Sequence, residues 1–353
     1  KLKCLTLFDF IYYCLLAFAM SFAPPEKRTD RSFVKWWYLL TSNILSGGFV
    51  IFLTIGSIFY HWYQLAAGIE THKVKDNSYG DFKPGKAYKD TKKIKVCKDL
   101  GYYARQIDLD LETTNITTND GFILVLHHLI DPQDTPEIRQ SKPPILLQHG
   151  LLSSSGCFLT SGYNSLAYYL VKAGYDVWLG NNRSGFKLQH ESLPHLATNE
   201  TFWDWDVRNL AYNDLPCIID AVLGHKPDHQ QLTLVGHSQG CSQSFLLLRS
   251  PDLAEYHKKI SSFVALAPAV FPGPLFHHSM FLKFMHALGP LVSKLCFGSL
   301  DFLPILTANR RLIGTTELFG KLAYYIFKFL FGWNGSKWGN DHKVWHIHFI
   351  FNV

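Results

Sequence analysis

The chain has 353 residues, enough for one large domain with additional segments, and its 34 Lys and Arg against 28 Asp and Glu give a formal net charge of +6. Charged residues make up only 18 % while aromatic residues reach 15 %, more apolar surface than an average soluble domain has to bury. The positive balance comes without arginine-rich tracts or zinc-type spacings, which excludes nucleic-acid and zinc-site readings and leaves membrane-surface or solubility charge; the scattered cysteines Cys4, Cys14, Cys97, Cys157, Cys217, Cys241 and Cys296 form no disulfide framework.

Residues 5–23 are a first apolar stretch, interrupted by Asp9. Ala17-Phe18-Ala19 has the small-residue spacing of a signal-peptide cleavage site, and Pro24-Pro25 would equally end the first arm of a membrane hairpin, so both readings stand. Lys27, Arg28, Arg31 and Lys35 follow, and residues 1–35 are read together as an apolar stretch and basic loop. Residues 36–62 contain no Lys, Arg, Asp or Glu. A helix of about 24 residues reaches roughly 36 Å, enough to cross a bilayer core of ~30 Å. Trp36, Trp37 and Tyr38 at one end and Tyr60, Trp62 and Tyr63 at the other supply the aromatic belts of two interfaces. The spacing therefore predicts a transmembrane helix over 36–62.

The basic cluster before this helix belongs in the cytosol by the positive-inside rule, which would put the large downstream domain in the lumen or exterior. Asn115, Asn182, Asn199 and Asn334 head Asn-x-Ser/Thr sequons and are candidate glycosylation sites in that orientation. A monolayer-inserted hairpin would instead leave the domain cytosolic. Residues 63–95, rich in Lys, Asp and Gly, read as a tether. Beyond it, short apolar runs at 122–127, 145–148, 176–179, 232–235 and 263–266 alternate with helix-like stretches at 163–173 and 206–223. Strands alternating with helices predict an α/β fold around a mostly parallel sheet, with the core over 96–270.

Leu232-Thr233-Leu234-Val235 is a strand-like run that leads into Gly236-His237-Ser238-Gln239-Gly240, and a helix-like stretch follows at once. This is the context a nucleophile elbow requires: a tight strand-to-helix turn, with small residues at Gly236 and Gly240 letting the backbone fold that sharply. Ser238 would project at the helix N-terminus, where partial positive charge favours a developing oxyanion. The second piece is Pro144-Ile145-Leu146-Leu147-Gln148-His149-Gly150-Leu151-Leu152, a buried strand ending in a loop of small residues. An oxyanion hole needs two backbone N–H groups, here those of Gln239 and Leu151. His149 precedes the serine, the wrong order for the base of this fold, and reads as structural.

Further stretches carry a specific resemblance. Gly101-Tyr102, Thr118-Asn119-Asp120-Gly121-Phe122-Ile123-Leu124, Leu147-Gln148-His149-Gly150-Leu151-Leu152, Asp176-Val177-Trp178-Leu179-Gly180-Asn181-Asn182-Arg183 and Tyr212-Asn213-Asp214-Leu215-Pro216 resemble, in order, motifs of the acid-lipase and steryl-ester-hydrolase family. Gly236-His237-Ser238-Gln239-Gly240 and Phe263-Val264-Ala265-Leu266-Ala267-Pro268-Ala269 complete the set, and the N-terminal apolar segment makes the likeness strongest to yeast-type membrane-anchored members. The resemblance implies an α/β-hydrolase core with a helical lid, the lid over 271–340 and a truncated core element over 341–353. It implies hydrolysis of steryl esters to sterol and fatty acid through Ser238 at a membrane or lipid surface. Triacylglycerol hydrolysis, or a non-catalytic lipid-binding remnant, are the alternatives.

In this fold the triad order is Ser, Asp, His. Asp252, Asp301 and Asp341, and His286, His342, His346 and His348, match no family motif. The triad Asp and His are therefore expected outside this chain, with the last strands missing, and the chain alone is expected to be nearly inactive, because a serine without a base is a poor nucleophile. No metal, no organic cofactor and no nucleic acid are implied. The expected partners are a hydrophobic ester and a membrane or lipid-droplet surface, and the expected location is the endoplasmic reticulum, plasma membrane or lipid droplet.

Overall fold

The computed structural model describes residues 33–68, 86–89, 94, 95, 97, 99–193, 200–271, 283, 287 and 317–331. They fall into two compact units: the first holds the N-terminal helix and the last described helix, the second the residues from 86 to 271.

In the first unit, helix α1 spans Phe33–Ala66, longer at both ends than the 36–62 expected from charge alone. Three of its hydroxyls bond along its own backbone: Thr41 donates to the Trp37 carbonyl, Thr54 to Val50 and Ser57 to Thr54. Such internal bonding is what a helix needs where no water can reach it. Ile51, Phe52, Ile55, Phe59 and Trp62 are exposed along it, and Ile44–Ala66 is long and apolar enough to cross a membrane.

The second unit is built on one six-stranded sheet. In chain order its elements are α2 (Leu100–Arg105), β1 (Asp110–Thr117), β2 (Ile123–Ile130), α3 (Pro136–Ser141), β3 (Pro144–Gln148), α4 (Leu166–Lys172), β4 (Asp176–Gly180), α5 (Glu200–Trp203), α6 (Val207–Asn209), α7 (Leu215–Gly224), β5 (Leu232–His237), α8 (Gln239–Arg249), α9 (Ala254–His257) and β6 (Ile260–Leu266). The strand order is β1-β2-β4-β3-β5-β6. β1 and β2 form an antiparallel hairpin, β2 runs antiparallel to β4, and β4, β3, β5 and β6 are mutually parallel. β3 and β4 are buried at every position, which is why they read as unbroken apolar runs: helices cover both faces of a parallel sheet. α7 buries Leu215, Ile218, Ile219 and Val222 against Leu146, Trp178 and Leu234, one stripe at helical spacing.

Between α6 and α7 the helix opens into a π-helical turn over Leu210–Asp214. Pro216 follows within the first turn of α7. Its ring has no N–H to offer and would crowd the carbonyl four residues back, and the widened turn relieves both. The turn also places Asp214, fully buried, against Arg183 of the loop after β4, where it becomes part of the site's frame.

The last described helix, α10 (Glu317–Phe331), lies in the first unit, along the C-terminal half of α1. Tyr325 stacks on His61 with ring centroids 4.3 Å apart, and Phe329 meets Tyr60 edge-on at 5.6 Å. Gly56 faces that ring: a Cβ there would lie 3.8 Å from Phe329 Cζ, in ordinary van der Waals contact. α10 is the part of the expected lid that falls among the described residues; Lys283 and Ala287 apart, residues 272–316 and 332–353 lie outside them.

Candidate active site

β5 delivers Ser238 to the carboxyl end of the sheet. Its backbone sits at φ 53°, ψ −113°, a region that costs a non-glycine residue roughly 1–3 kcal/mol and persists only where the surroundings impose it. Here they do. The Ser238 N–H donates to the Leu266 carbonyl at 2.9 Å, and the Ser238 carbonyl accepts from Cys241 N–H at 3.0 Å and Ala269 N–H at 3.3 Å. α8 begins at the next residue, Gln239.

The two flanking glycines are required by contact with backbone. A Cβ on Gly236 would stand 2.9 Å from the Cys241 nitrogen and the Gly240 carbonyl, and one on Gly240 would stand 2.5 Å from the Gln148 oxygen and 2.7 Å from the His149 oxygen. The second contact presses the first turn of α8 onto the end of β3. That brings the loop after β3 to the serine: a Cβ on Gly150 would lie 2.9 Å from Ser238 Cβ. Ser238, Gln239, Gly236, Gly240 and the Gly150-Leu151 peptide thus meet at one place. The Leu151 side chain is 61 % exposed, so what it offers inward is its backbone, and Leu152 next to it is left-handed at φ 55°.

The loop after β4 holds the loop after β3. Asn181 accepts from the Ser155 N–H at 2.8 Å and donates to the Val125 carbonyl at 3.0 Å, tying the small-residue loop to β2. His127 Nδ1 lies 2.9 Å from Ser155 Oγ, and burial lowers the pKa of this ring to about 4. The Asn182 N–H donates to His149 Nε2 at 3.3 Å, and His149 Nδ1 donates to the Gly150 carbonyl at 2.8 Å. Burial lowers the His149 pKa to about 4 as well. Asn182 is itself buried, and its side-chain oxygen accepts from Ser184 N–H and Oγ. That removes it from the glycosylation candidates, because a glycan cannot be accommodated on a buried amide in the folded domain. Asn115 is exposed on β1, and Asn199 and Asn334 lie outside the described residues.

Beneath these loops sits a buried ionic cluster. Arg183 donates to Asp214 through its backbone N–H at 2.8 Å, Nε at 2.9 Å and Nη2 at 2.6 Å. Its Nη1 lies 2.8 Å from Asp120 Oδ2 on the β1–β2 turn, and its guanidinium lies 3.9 Å from the centre of the Phe122 ring. Burial alone would raise the Asp120 pKa, but the Arg183 guanidinium and the Thr118 hydroxyl outweigh it and hold the carboxyl below its usual value. Asn181, Arg183, Asp214 and Asp120 carry the frame of the site. Their signal in the sequence is an Asp amid apolar helix residues two positions before a proline, and an Arg three residues past the end of an apolar strand, since buried charges are paired.

Among the described residues, no carboxylate is paired with a histidine beside Ser238. His237 Nδ1 is buried without a hydrogen-bond partner. The His128–Asp176 pair, 2.8 Å apart, starts β4 at the opposite end of the sheet. Asp252 is exposed, and Asp301, Asp341, His286, His342, His346 and His348 lie outside the described residues.

A serine at a strained strand-to-helix turn on a mostly parallel sheet, met by a loop from the neighbouring strand, is the arrangement of the α/β-hydrolases. Family comparisons agree. A profile described as "Partial alpha/beta-hydrolase lipase region" matches residues 100–162, and one described as "Serine aminopeptidase, S33" matches residues 139–311. Sterol esterase 2 of Saccharomyces cerevisiae is 38 % identical over 263 residues, covering 73 % of this chain and 48 % of the relative. Lipase 1 of Drosophila melanogaster is 34 % identical over 70 % of this chain and 54 % of the relative. The lysosomal acid lipase/cholesteryl ester hydrolase of Macaca fascicularis is 36 % identical over 54 % of this chain and 46 % of the relative. The chain spans about half the length of these curated relatives. The chain is an α/β-hydrolase, similar in sequence to acid lipases and steryl ester hydrolases.

Proposed function

We propose that the full-length protein hydrolyses water-insoluble carboxylic esters, steryl esters foremost, by acyl transfer through Ser238 at a membrane surface. The observation that carries this reading is the imposed turn at Ser238 with the Gly150 backbone in contact with it. Ser238 Oγ would attack the ester carbonyl while a histidine from outside the described residues takes its proton. The oxyanion would be held by the Gln239 and Leu151 N–H groups. The C–O bond then breaks, the sterol leaves with the proton, and water releases the fatty acid from the acyl-enzyme by the same steps in reverse. The choice of steryl ester over triacylglycerol is supported by the likeness to a yeast sterol esterase.

The membrane setting is supported by α1, which is long and apolar enough to span a bilayer, and by the basic residues Lys27, Arg28, Arg31 and Lys35 before it. α10 packs on α1 through aromatic rings, which supports a membrane-side role for part of the region read as a lid. The endoplasmic reticulum, the plasma membrane and the lipid droplet all offer such a surface.

The test is Ser238→Ala in the full-length protein, assayed on cholesteryl oleate. The change removes one oxygen and leaves the turn, so fold and membrane attachment should persist while turnover falls by several orders of magnitude, about 10⁶ in a well-studied serine protease. Parental turnover in that variant would sink the proposal and favour a lipid-binding role.

A further inference from the structure

His149 ends β3 one residue before the loop that carries Leu151, and its residue is 1 % exposed. Each ring nitrogen faces a group of fixed polarity. Nδ1 is 2.8 Å from the Gly150 carbonyl oxygen, which can only accept, and Nε2 is 3.3 Å from the Asn182 N–H, which can only donate. One neutral tautomer satisfies both, with the hydrogen on Nδ1 and the lone pair on Nε2. Gly185 makes space for the ring: a Cβ there would stand 2.7 Å from His149 Nε2.

What this bond fixes follows from the covalent structure. The Gly150 carbonyl and the Leu151 N–H are the two ends of a single planar peptide unit, and with no cis bond among the described residues they point in opposite directions. Holding the carbonyl on one side aims the N–H to the other. The unit begins at Gly150, which lies against the nucleophile.

We propose that His149 is a positioning residue for the oxyanion hole: anchored by the Asn182 N–H, it holds the Gly150 carbonyl and so presents the Leu151 N–H to the oxyanion that forms on the ester carbonyl. This rests on the reading of Ser238 as nucleophile and Leu151 as second donor. With both nitrogens engaged, the ring neither takes nor gives a proton in the reaction. Because the N–H engages charge that develops only in the transition state, the effect falls on kcat and not on KM.

The test uses the full-length enzyme with cholesteryl oleate in mixed micelles, comparing His149→Asn, His149→Gln and Ser238→Ala. The Asn amide nitrogen stands where Nδ1 stands and can still donate to the Gly150 carbonyl; the Gln nitrogen stands near Nε2 and cannot. His149→Asn should retain kcat within a few-fold. His149→Gln should lose roughly 10- to 100-fold in kcat at unchanged KM, short of the 10²–10³ that removing an oxyanion donor outright costs. The proposal is overturned if the Gln variant keeps parental kcat, if the loss appears in KM, if Gln fails to fold, or if Asn and Gln fall together in kcat or folded yield. Ser238→Ala separates the two levels: retained turnover there defeats the underlying reading, whereas its loss beside an unaffected Gln variant defeats only the role of His149.

Discussion

Replacing Asp214 with Ala would leave Arg183 buried with most of its bonds gone. Both side chains are almost fully enclosed, 0 % and 1 % exposed, and all three of the hydrogen bonds from Arg183 to Asp214 would be lost. Asp120 would remain as a counter-charge, but its side chain is 32 % exposed and screened accordingly. Removing one partner of a buried pair typically costs about 3–5 kcal/mol, because an uncompensated charge stays behind. A domain of this size shifts its Tm by about 2–4 °C per kcal/mol, so a fall of roughly 6–20 °C is expected, measured by circular dichroism in detergent. Asp120→Ala should cost no more than about 1 kcal/mol, as exposed pairs do. Arg183→Met combined with Asp214→Leu should recover much of the loss, since no buried charge is left unpaired. The reasoning is refuted if Asp214→Ala lies within 1 kcal/mol of the parent, or if the double variant is no more stable than the single one.

Gly240→Ala should abolish folded yield, because its Cβ would meet backbone oxygens of Gln148 and His149 at 2.5 and 2.7 Å; a soluble, labelling-competent variant would show that the elbow can open. His127 and His149 have folded pKa values near 4 against an ordinary value of 6.5. The unfolded chain therefore binds protons that the native state refuses, and stability should fall by roughly 3 kcal/mol per ring as pH drops from 6.5 to 4. Urea titrations at several pH values in that window would read it, and a flat profile would mean that the rings are hydrated. Carbonate or high-salt washing should leave the full-length protein in the membrane pellet and detergent should release it; release by salt alone is incompatible with a spanning α1.

The elbow could be read from sequence because its glycines answer to contacts within a few residues and to one neighbouring strand. β3 and β4 were legible as apolar runs because both faces of the sheet are covered. β1 was not, because its residues alternate between exposed and half-buried positions and its sequence, Asp110-Leu111-Glu112-Thr113-Thr114-Asn115-Ile116-Thr117, carries little apolar signal. The stretch 206–223 reads as one helix, yet the protein inserts a π turn ahead of Pro216, since the pattern of apolar residues is blind to how a turn accommodates a missing N–H. The Arg183–Asp214 pair spans 31 residues of chain, so although each charge stands out among its apolar neighbours, nothing local says that the two meet. The same holds for the Asn182–His149–Gly150 chain of hydrogen bonds, where one donor is a backbone group that any residue would supply. The long apolar helix α1 was legible from its lack of charge, whereas its packing against α10 depends on rings more than 260 residues away.

The central claim is that Ser238 is an activated nucleophile in the full-length protein. The most direct measurement is fluorophosphonate labelling of that protein in its membrane, followed by mass-spectrometric mapping of the modified peptide. A covalent adduct on Ser238, lost in the Ser238→Ala variant and suppressed by excess cholesteryl ester, is the predicted result. No adduct on a folded, membrane-bound protein, or an adduct on another serine that persists in Ser238→Ala, would contradict it.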